Sequence, residues 1–339
     1  MKNQYDILFI TPIPSFYKVN LFNEIAKEKR ILVLYTGANE EKRSNDFFKS
    51  DAKYEFQALC ENSYLAIFQL VRLLCSHKFN KIIVSGWDTI ISFVSVFIHR
   101  KKGNGCMVES SLFDSSTDGW KAMIKKVLLK RVSTVYVSGK SQLRLVDTLG
   151  FKGKTIEFGG CGILRYQEQP PFENRHKVHN FLYVGRLIEV KNLSLLISVF
   201  NELPQLTLTI IGEGPLENEL KQHAKENIHF LGSVNNSELS RYYIENDVFV
   251  LPSISEPWGL VVEEALNNGT PVIVSSHVGC SESIVEPYSS GIVFENGSKE
   301  GLFNAVKQMC NVDSYNQFRK NVSKIDFIER SKQQIKSFL

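Results

Sequence analysis

Two glutamates eight positions apart, Glu256 and Glu264, lie in the run Asp247–Ser275, DVFVLPSISEPWGLVVEEALNNGTPVIVS. The apolar stretch 248–251 reads as a buried strand that stops at Pro252-Ser253. Glu256 then falls on a loop, and Gly259 opens a helical pattern that presents Glu264. An ionised carboxylate accepts two or more hydrogen bonds. The pair therefore suits a polyhydroxylated ligand, with Glu256 against a sugar hydroxyl and Glu264 against a ribose diol. Trp258 sits beside the acid, and Gly269-Thr270-Pro271 closes the helix and starts the next strand. Glu263, on a different side of that helix, is expected to face solvent. The alternative, that both acids are helix-start charges favoured by the dipole, suits Glu256 but accounts poorly for Glu264.

Two further strand ends carry phosphate chemistry. The strand at 181–184 ends in Gly185-Arg186-Leu187, with Lys191-Asn192 just before a helical stretch. Glycine permits close backbone approach, a helix N-terminus favours an anion, and two cations can clamp a diphosphate. Ordinary exposed loop charges are the competing explanation. The strand at 207–211 ends in Gly212-Glu213-Gly214-Pro215, again opening a helix. It lacks the third glycine of a dinucleotide fingerprint and the Gly-Lys-Ser/Thr of an ATPase loop. A plain strand-to-helix turn accounts for it equally well.

The elements that must position these residues alternate from end to end. In the first half, 5–11, 31–35, 81–85, 107–110 and 134–137 read as buried strands. Between them 19–29, 64–75, 90–99, 121–131 and 141–149 have helical periodicity. The stretch 166–180 (YQEQPPFENRHKVHN) is polar, contains Pro170-Pro171 and lacks apolar periodicity, which is linker composition. A second series follows, with strands at 181–184, 207–211, 228–231, 248–251 and 272–274 and helices at 192–201, 216–224, 237–245 and 259–268. Such alternation implies α/β architecture with two doubly wound, Rossmann-like parallel sheets covered on both faces. Domains are expected over 1–165 and 180–322, joined by a linker at 166–179. A helical C-terminus over 314–339 is expected, its part from 323 to 339 packing back on the first domain. Sheets of this kind bind ligands at the carboxyl ends of their strands, which places a ligand in the cleft between the two domains.

Composition sets the bounds. With 43% hydrophobic and 22% charged residues in 339, the chain has the apolar content of a packed protein, and its length suits about two domains. No run approaches the ~18–20 apolar residues of a membrane span, and the N-terminus runs straight into a strand pattern, so a secretory signal is not expected. Six scattered cysteines without a C-x-x-C pair indicate reduced thiols rather than a disulfide framework, and no Cys or His pair has zinc spacing. A cytoplasmic location is the corresponding expectation. The net charge of +4 conceals an asymmetry. Residues 1–170 carry 25 Lys and Arg against 16 Asp and Glu, and residues 171–339 carry 15 against 20. The first half is basic and the second acidic. The first half holds Arg100-Lys101-Lys102 and the amphipathic, cationic stretch 121–131, which suits an anionic membrane surface or ordinary packing on its own sheet. Aromatic stacking platforms do not accompany the lysines, so nucleic acid is not an expected partner.

In this order the motifs resemble the retaining glycosyltransferases of family 4, the "glycosyl transferases group 1", with the two-Rossmann GT-B fold. The resemblance rests on Gly185-Arg186-Leu187 with Lys191, on Gly212-Glu213-Gly214-Pro215 and on Phe230-Leu231-Gly232 followed by Tyr242-Tyr243. It rests above all on Pro252-Ser253 and on the segment from Glu256 through Pro-Trp-Gly-Leu-Val-Val to Glu263-Glu264, the family's Glu–seven residues–Glu element. The first half matches in pattern only. The resemblance implies a nucleotide-sugar donor held mainly by the second domain, with no metal and no further cofactor. Arg186 and Lys191 are then expected to neutralise the donor diphosphate, Glu256 to contact the donor sugar and Glu264 to hold the ribose hydroxyls. Gly185, Gly212 and Gly214 border the phosphates. Backbone of Trp258, Gly259, Leu260 and Val261 approaches sugar and phosphates, and backbone at Ser233 and Val234 reads the base, with UDP favoured over GDP. Retention by front-face attack needs no enzymic nucleophile.

The first domain departs from the family. Its usual Gly-Gly loop is replaced by Pro12-Ile13-Pro14-Ser15, its acceptor-side histidine has no match, and Gly159-Gly160-Cys161-Gly162-Ile163 stands where an asparagine and a Val-Asp pair are common. Pro14, Ser15, Asp88 and Glu109 are the acceptor-side candidates, with strand-end capping as the competing role for the two acids. The expected activity is transfer of a hexose or N-acetylhexosamine to a hydroxyl of a glycan, polyprenyl-linked, in bacterial O-antigen or capsule synthesis at the inner membrane face. The alternatives are a nucleotide-sugar 2-epimerase of the same architecture and a non-enzymatic two-domain sugar-binding protein.

Overall fold

Runs of Ile, Val and Leu become strands where helices cover both faces of a sheet. In the computed structural model, which describes residues 4–37, 51–60, 63–163 and 165–339, the first half forms β1 (Gln4–Thr11), β2 (Ile31–Tyr35), β3 (Glu55–Ala58), β4 (Lys78–Ser85), β5 (Asn104–Val108), β6 (Thr134–Val137) and β7 (Lys154–Glu157). They pair in parallel in the order β3-β2-β1-β4-β5-β6-β7. The period-2 geometry of β1 sends Leu8 and Ile10 into one apolar layer and Ile7 and Phe9 into the other. The strand order reverses between β1 and β4, so the loops after β1, β4 and β5 share one edge of the sheet.

The second half forms β8 (Asn180–Val184), β9 (Thr207–Ile211), β10 (Ile228–Gly232), β11 (Val248–Leu251), β12 (Val272–Ser275) and β13 (Gly291–Phe294), parallel in the order β10-β9-β8-β11-β12-β13. Here the reversal falls between β8 and β11. Three strands lie outside the sequence expectation: β3 (EFQA), β7 (KTIE) and β13 (GIVF). All three sit at sheet edges, where one flank lacks a neighbour and the unbroken apolar run of a central strand is not required.

The chain divides into two compact units, one running to Arg165 and including Glu329–Leu339, the other Tyr166–Ile328. The polar stretch 166–179 forms no helix or strand, yet it is bound into the second unit rather than spanning free. Gln169 Nε2 donates to the Leu266 carbonyl at 2.8 Å, and Asn316 exchanges hydrogen bonds with the Arg175 backbone at 2.8 and 3.0 Å. The C-terminus is two helices, Val312–Val322 and Phe327–Lys336, rather than one continuous stretch. Ser323 and Asp326 flank the break, residue types that favour caps over helix interiors.

The second of these helices explains the glycine run at 159–162. A Cβ on Gly160 would lie 2.5 Å from Gln334 Nε2, and the Gly159 carbonyl accepts from Arg330 at 3.0 Å. Beyond that helix Phe338 is fully buried against Tyr136 (4.7 Å between centroids) and Phe158 (5.3 Å). Such burial contributes about 2–3 kcal/mol.

Candidate functional site

The candidate site residues named in the second half, Arg186, Lys191, Glu256 and Glu264 among them, fall at the carboxyl edge of its sheet. The loops after β8 and β9 are fastened together by main-chain bonds, Gly185 N–H to Ile211 O and Leu187 N–H to Glu213 O, both 2.9 Å. Gly212 N–H donates to Gly232 O at 2.8 Å, which draws in the end of β10. This contact leaves no room for a side chain. Gly212 has φ +133°, and a Cβ there would lie 1.9 Å from the Gly185 carbonyl oxygen. Gly212→Ala is expected to cost about 3 kcal/mol or more, as strain plus displaced backbone. Denaturant unfolding checks it, and an unchanged midpoint would contradict the contact. Gly214 is equally closed, with a Cβ 2.2 Å from the Leu187 carbonyl. Ser233 and Val234 follow directly on β10, Ser233 exposed and Val234 half-buried.

Lys191 ends a single 3₁₀ turn, Glu189–Lys191, and Asn192, at φ 55°, starts the helix Leu193–Phe200. The Lys191 ammonium is paired with the Glu256 carboxylate, both side chains largely buried. Arg186, on the loop after β8, is exposed, and its carbonyl accepts from the buried Tyr183 hydroxyl at 3.0 Å. Burial raises the Tyr183 pKa well above its usual value, and the Glu256 charge adds to the rise. The Glu256 loop is held from both sides. Ile254 N–H donates to Val190 O at 2.9 Å, while Glu256 N–H donates to His277 O at 3.1 Å and Gly279 N–H to Glu256 O at 2.9 Å.

Gly259, at φ +102°, caps the helix Leu260–Asn267, with a would-be Cβ 2.9 Å from Val278. Leu260 and Val261, in its first turn, are half-buried. Glu264, one turn in, is partly covered, and Tyr243 Oη donates to its Oε2 at 3.0 Å. Burial pushes the Glu264 carboxyl up to about 7, against the lowering by the Tyr243 hydrogen bond, and the Glu263 charge adds to the rise. Glu263 itself corrects the sequence expectation. It is 3% exposed, and the buried Trp258 indole donates to its Oε2 at 2.8 Å. Trp258 and Glu263 thus brace the loop against the helix, and a buried acid needs such a donor.

The structure brings Arg186, Lys191, Glu256 and Glu264 to one sheet edge, around the β8–β11 reversal. Sequence reasoning missed Tyr243 as the partner of Glu264 and the loop 276–280 that backs Glu256. The Tyr242-Tyr243 pair was visible, but nothing local marked which ring turns inward. A Cβ on Gly279 would lie 1.8 Å from the Pro257 carbonyl, so that glycine was the available signal for the loop.

In the first unit, Pro14, Ser15, Asp88 and Glu109 also lie on loops at a carboxyl edge. Ser15 is the N-cap of the helix Phe16–Ala26 without a side-chain capping bond, and Pro14 before it is half-buried. Glu109 forms an ion pair with the buried Lys18 ammonium at 2.6 Å, and Lys18 also donates to Thr11 Oγ1 at 3.1 Å. Asp88 keeps an accessible surface while partial loss of water raises its pKa, opposed by the Lys125 charge. Lys125 donates to Ser115 Oγ at 2.5 Å and to the Ser116 carbonyl at 2.7 Å. Among the described residues, no group of three or more His, Cys, Asp and Glu side chains is placed to hold a metal ion.

Residues 166–325 match the model of the family Glycosyl transferases group 1. The chain is 38% identical over 122 residues to sulfoquinovosyl transferase SQD2 of Arabidopsis thaliana, covering 35% of this chain and 24% of the plant protein. It is 27% identical over 245 residues to the O-antigen biosynthesis glycosyltransferase WbnH of Escherichia coli, covering 69% and 68%. The chain thus spans about a quarter of the plant relative's length. Among solved structures, Alr3699/HepE of Anabaena in complex with UDP superposes with a TM-score of 0.72 at 17% identity, over 97% of this chain and 98% of that one. That likeness establishes the fold, two Rossmann-like domains of the GT-B class. The match to Glycosyl transferases group 1 spans residues 166–325, the part of the chain that carries the β8–β11 reversal and both Glu256 and Glu264.

Proposed function

We propose that this chain is a retaining glycosyltransferase that moves a hexose or N-acetylhexosamine from a UDP-sugar to a hydroxyl of a lipid-linked glycan, in the manner of O-antigen or capsule synthesis. The observation that carries this reading is the convergence of a Lys191–Glu256 pair, Glu264 and the glycine-closed loop after β9, fastened to the ends of β8 and β10, at one sheet edge. Support for UDP comes from the similar fold of HepE, described in complex with UDP. Support for the acceptor class comes from the likeness to WbnH, named for O-antigen biosynthesis.

On this reading the donor diphosphate lies against Arg186, Lys191 and backbone of the Gly185 and Gly212 loops. Ribose hydroxyls donate to ionised Glu264, and backbone at Ser233 and Val234 meets the base. The diphosphate separates Lys191 from Glu256 in part, which frees the carboxylate to accept from a donor-sugar hydroxyl. As the glycosidic bond breaks, negative charge grows on the leaving UDP and the two cations stabilise it. The departing phosphate oxygen takes the proton of the acceptor hydroxyl, which attacks the same face, so the anomeric configuration is kept. No protein nucleophile and no metal enter the steps.

Incubation with UDP-sugars and a polyprenyl-diphosphate-linked sugar tests the proposal, with the product anomer read by NMR. An α-linked product from an α-linked donor is expected. A β-linked product contradicts retention, and interconversion of the donor sugar without acceptor contradicts transfer.

We further read the first unit as the membrane-facing side. The helix Gly119–Leu129 leaves Trp120 (66%) and Met123 (63%) exposed beside Lys121 and Lys126, an interfacial pattern. Sedimentation with anionic vesicles should decline as salt rises, and binding that ignores salt would remove the charge contribution.

A further inference from the structure

The second half of the chain is acidic, yet one cavity in its unit is lined by cations. This cavity, about 510 Å³, lies under the strap 170–177, at the amino ends of β11 and β12 and so at the opposite edge of the sheet from Glu256. Arg175, His176, Lys177 and Arg319 line it, with Glu173 as the one acid among the lining residues. Arg319 is the informative member. Its side chain is nine-tenths buried, and its Nη1 donates to the Glu173 carbonyl at 3.1 Å. Among the described residues, no carboxylate forms a salt bridge with it. A buried charge ordinarily has a counter-charge. Burial and the Asp247 charge raise the pKa of the Tyr315 phenol, which also lines the cavity, and the charges of Arg319 and Arg175 oppose that rise.

We propose that this cavity is a binding site for a phosphomonoester of sugar size. Two guanidinium forks and the Lys177 ammonium suit a dianionic phosphate, which arginine reads through paired N–H donors. The volume exceeds what a bare phosphate fills and falls within the range of small-molecule sites. Asn174, Asn246 and Thr270 offer amide and hydroxyl groups to a hydroxylated body. Asn268 also lines the cavity, and its Nδ2 donates to the Glu264 carbonyl at 2.8 Å. Thr270 Oγ1 donates to the Tyr243 carbonyl at 2.6 Å, and Tyr243 in turn holds the Glu264 carboxylate. An occupant that bonds to Asn268 or Thr270 therefore acts on the mounting of Glu264. This regulatory consequence rests on the donor reading of Glu264, while the binding site does not.

Thermal unfolding of the full chain with glucose 6-phosphate, inorganic phosphate, glucose or sodium sulfate at matched ionic strength tests the site. Glucose 6-phosphate should raise Tm by a few degrees, more than inorganic phosphate, with glucose and sulfate inert. The double variant Arg175→Ala/Lys177→Ala changes two exposed side chains. It should weaken glucose 6-phosphate binding by about tenfold or more while leaving the UDP-induced shift intact. Glucose 6-phosphate and UDP should also bind together without competition. Equal stabilisation by sulfate, competition with UDP, or unaltered binding in the double variant would overturn the proposal. A missing UDP shift with a normal glucose 6-phosphate shift would instead count against the donor reading alone.

Discussion

Lys191→Ala should lower kcat by about a hundred- to a thousand-fold, the range for losing one preorganised donor to developing negative charge. The side chain is held for that task before any ligand arrives. It sits at the end of a 3₁₀ turn whose Val190 carbonyl is tied to Ile254, and its ammonium is paired with Glu256 in a largely buried setting. A cation fixed by the fold does not have to reorganise when the diphosphate leaves. The loss should appear in kcat and kcat/KM together, because charge on the leaving group is greatest in the transition state. Removing Lys191 also leaves Glu256 with its cation missing, so some stability is lost. The double variant Lys191→Ala/Glu256→Gln separates the two effects, restoring stability but not turnover. A rise in KM alone, with kcat unchanged, would assign Lys191 to ground-state binding and contradict the transition-state role.

The second large effect concerns Glu264. With its carboxyl pushed to about 7 by burial, only about a tenth is ionised at pH 6. Ribose hydroxyls donate to the ionised form, so UDP affinity should rise roughly tenfold from pH 6 to pH 8 and level off above the pKa. Glu264→Gln cannot ionise. Its affinity should fall about ten- to a hundredfold below that of the parent at pH 8, through loss of charge-assisted bonds, and should be flat with pH.

The stability sign runs the other way. A carboxyl whose folded pKa is raised contributes stability that is fully present below the ordinary value of 4.5 and is lost as pH rises through about 7. Glu264→Gln should therefore match the parent near pH 4.5 and be the more stable protein at pH 8. Calorimetric titration of UDP across pH checks the first part and denaturant unfolding the second. A variant retaining the parent's pH dependence would place the titrating group elsewhere.

The central strands were legible because both faces are covered: ILVLY over 31–35 and VFVL over 248–251 carry no polar interruption. The edge strands β3 and β7 were not, since EFQA over 55–58 and KTIE over 154–157 need only one apolar neighbour and look like loop sequence. The site divided along similar lines. Glu256, Glu264, Arg186 and Lys191 stood out because charge at a strand end or on a short loop is visible in one dimension. Their partners were not visible. Tyr243 reaches Glu264 from another helix, and whether Glu263 meets solvent or the Trp258 indole depends on how the loop folds over the helix start. The Pro171–Lys177 segment looked like a linker because polar composition describes both a free tether and a strap hydrogen-bonded to a helix.

The most direct test of the donor site is calorimetric titration of UDP into the full chain at pH 8, alongside Lys191→Ala and Glu264→Gln. One UDP per chain should bind the parent, with affinity reduced at least about tenfold in Glu264→Gln and by less in Lys191→Ala, whose main loss is in turnover. No binding to the parent, or equal affinity in all three, would contradict a nucleoside diphosphate at this sheet edge.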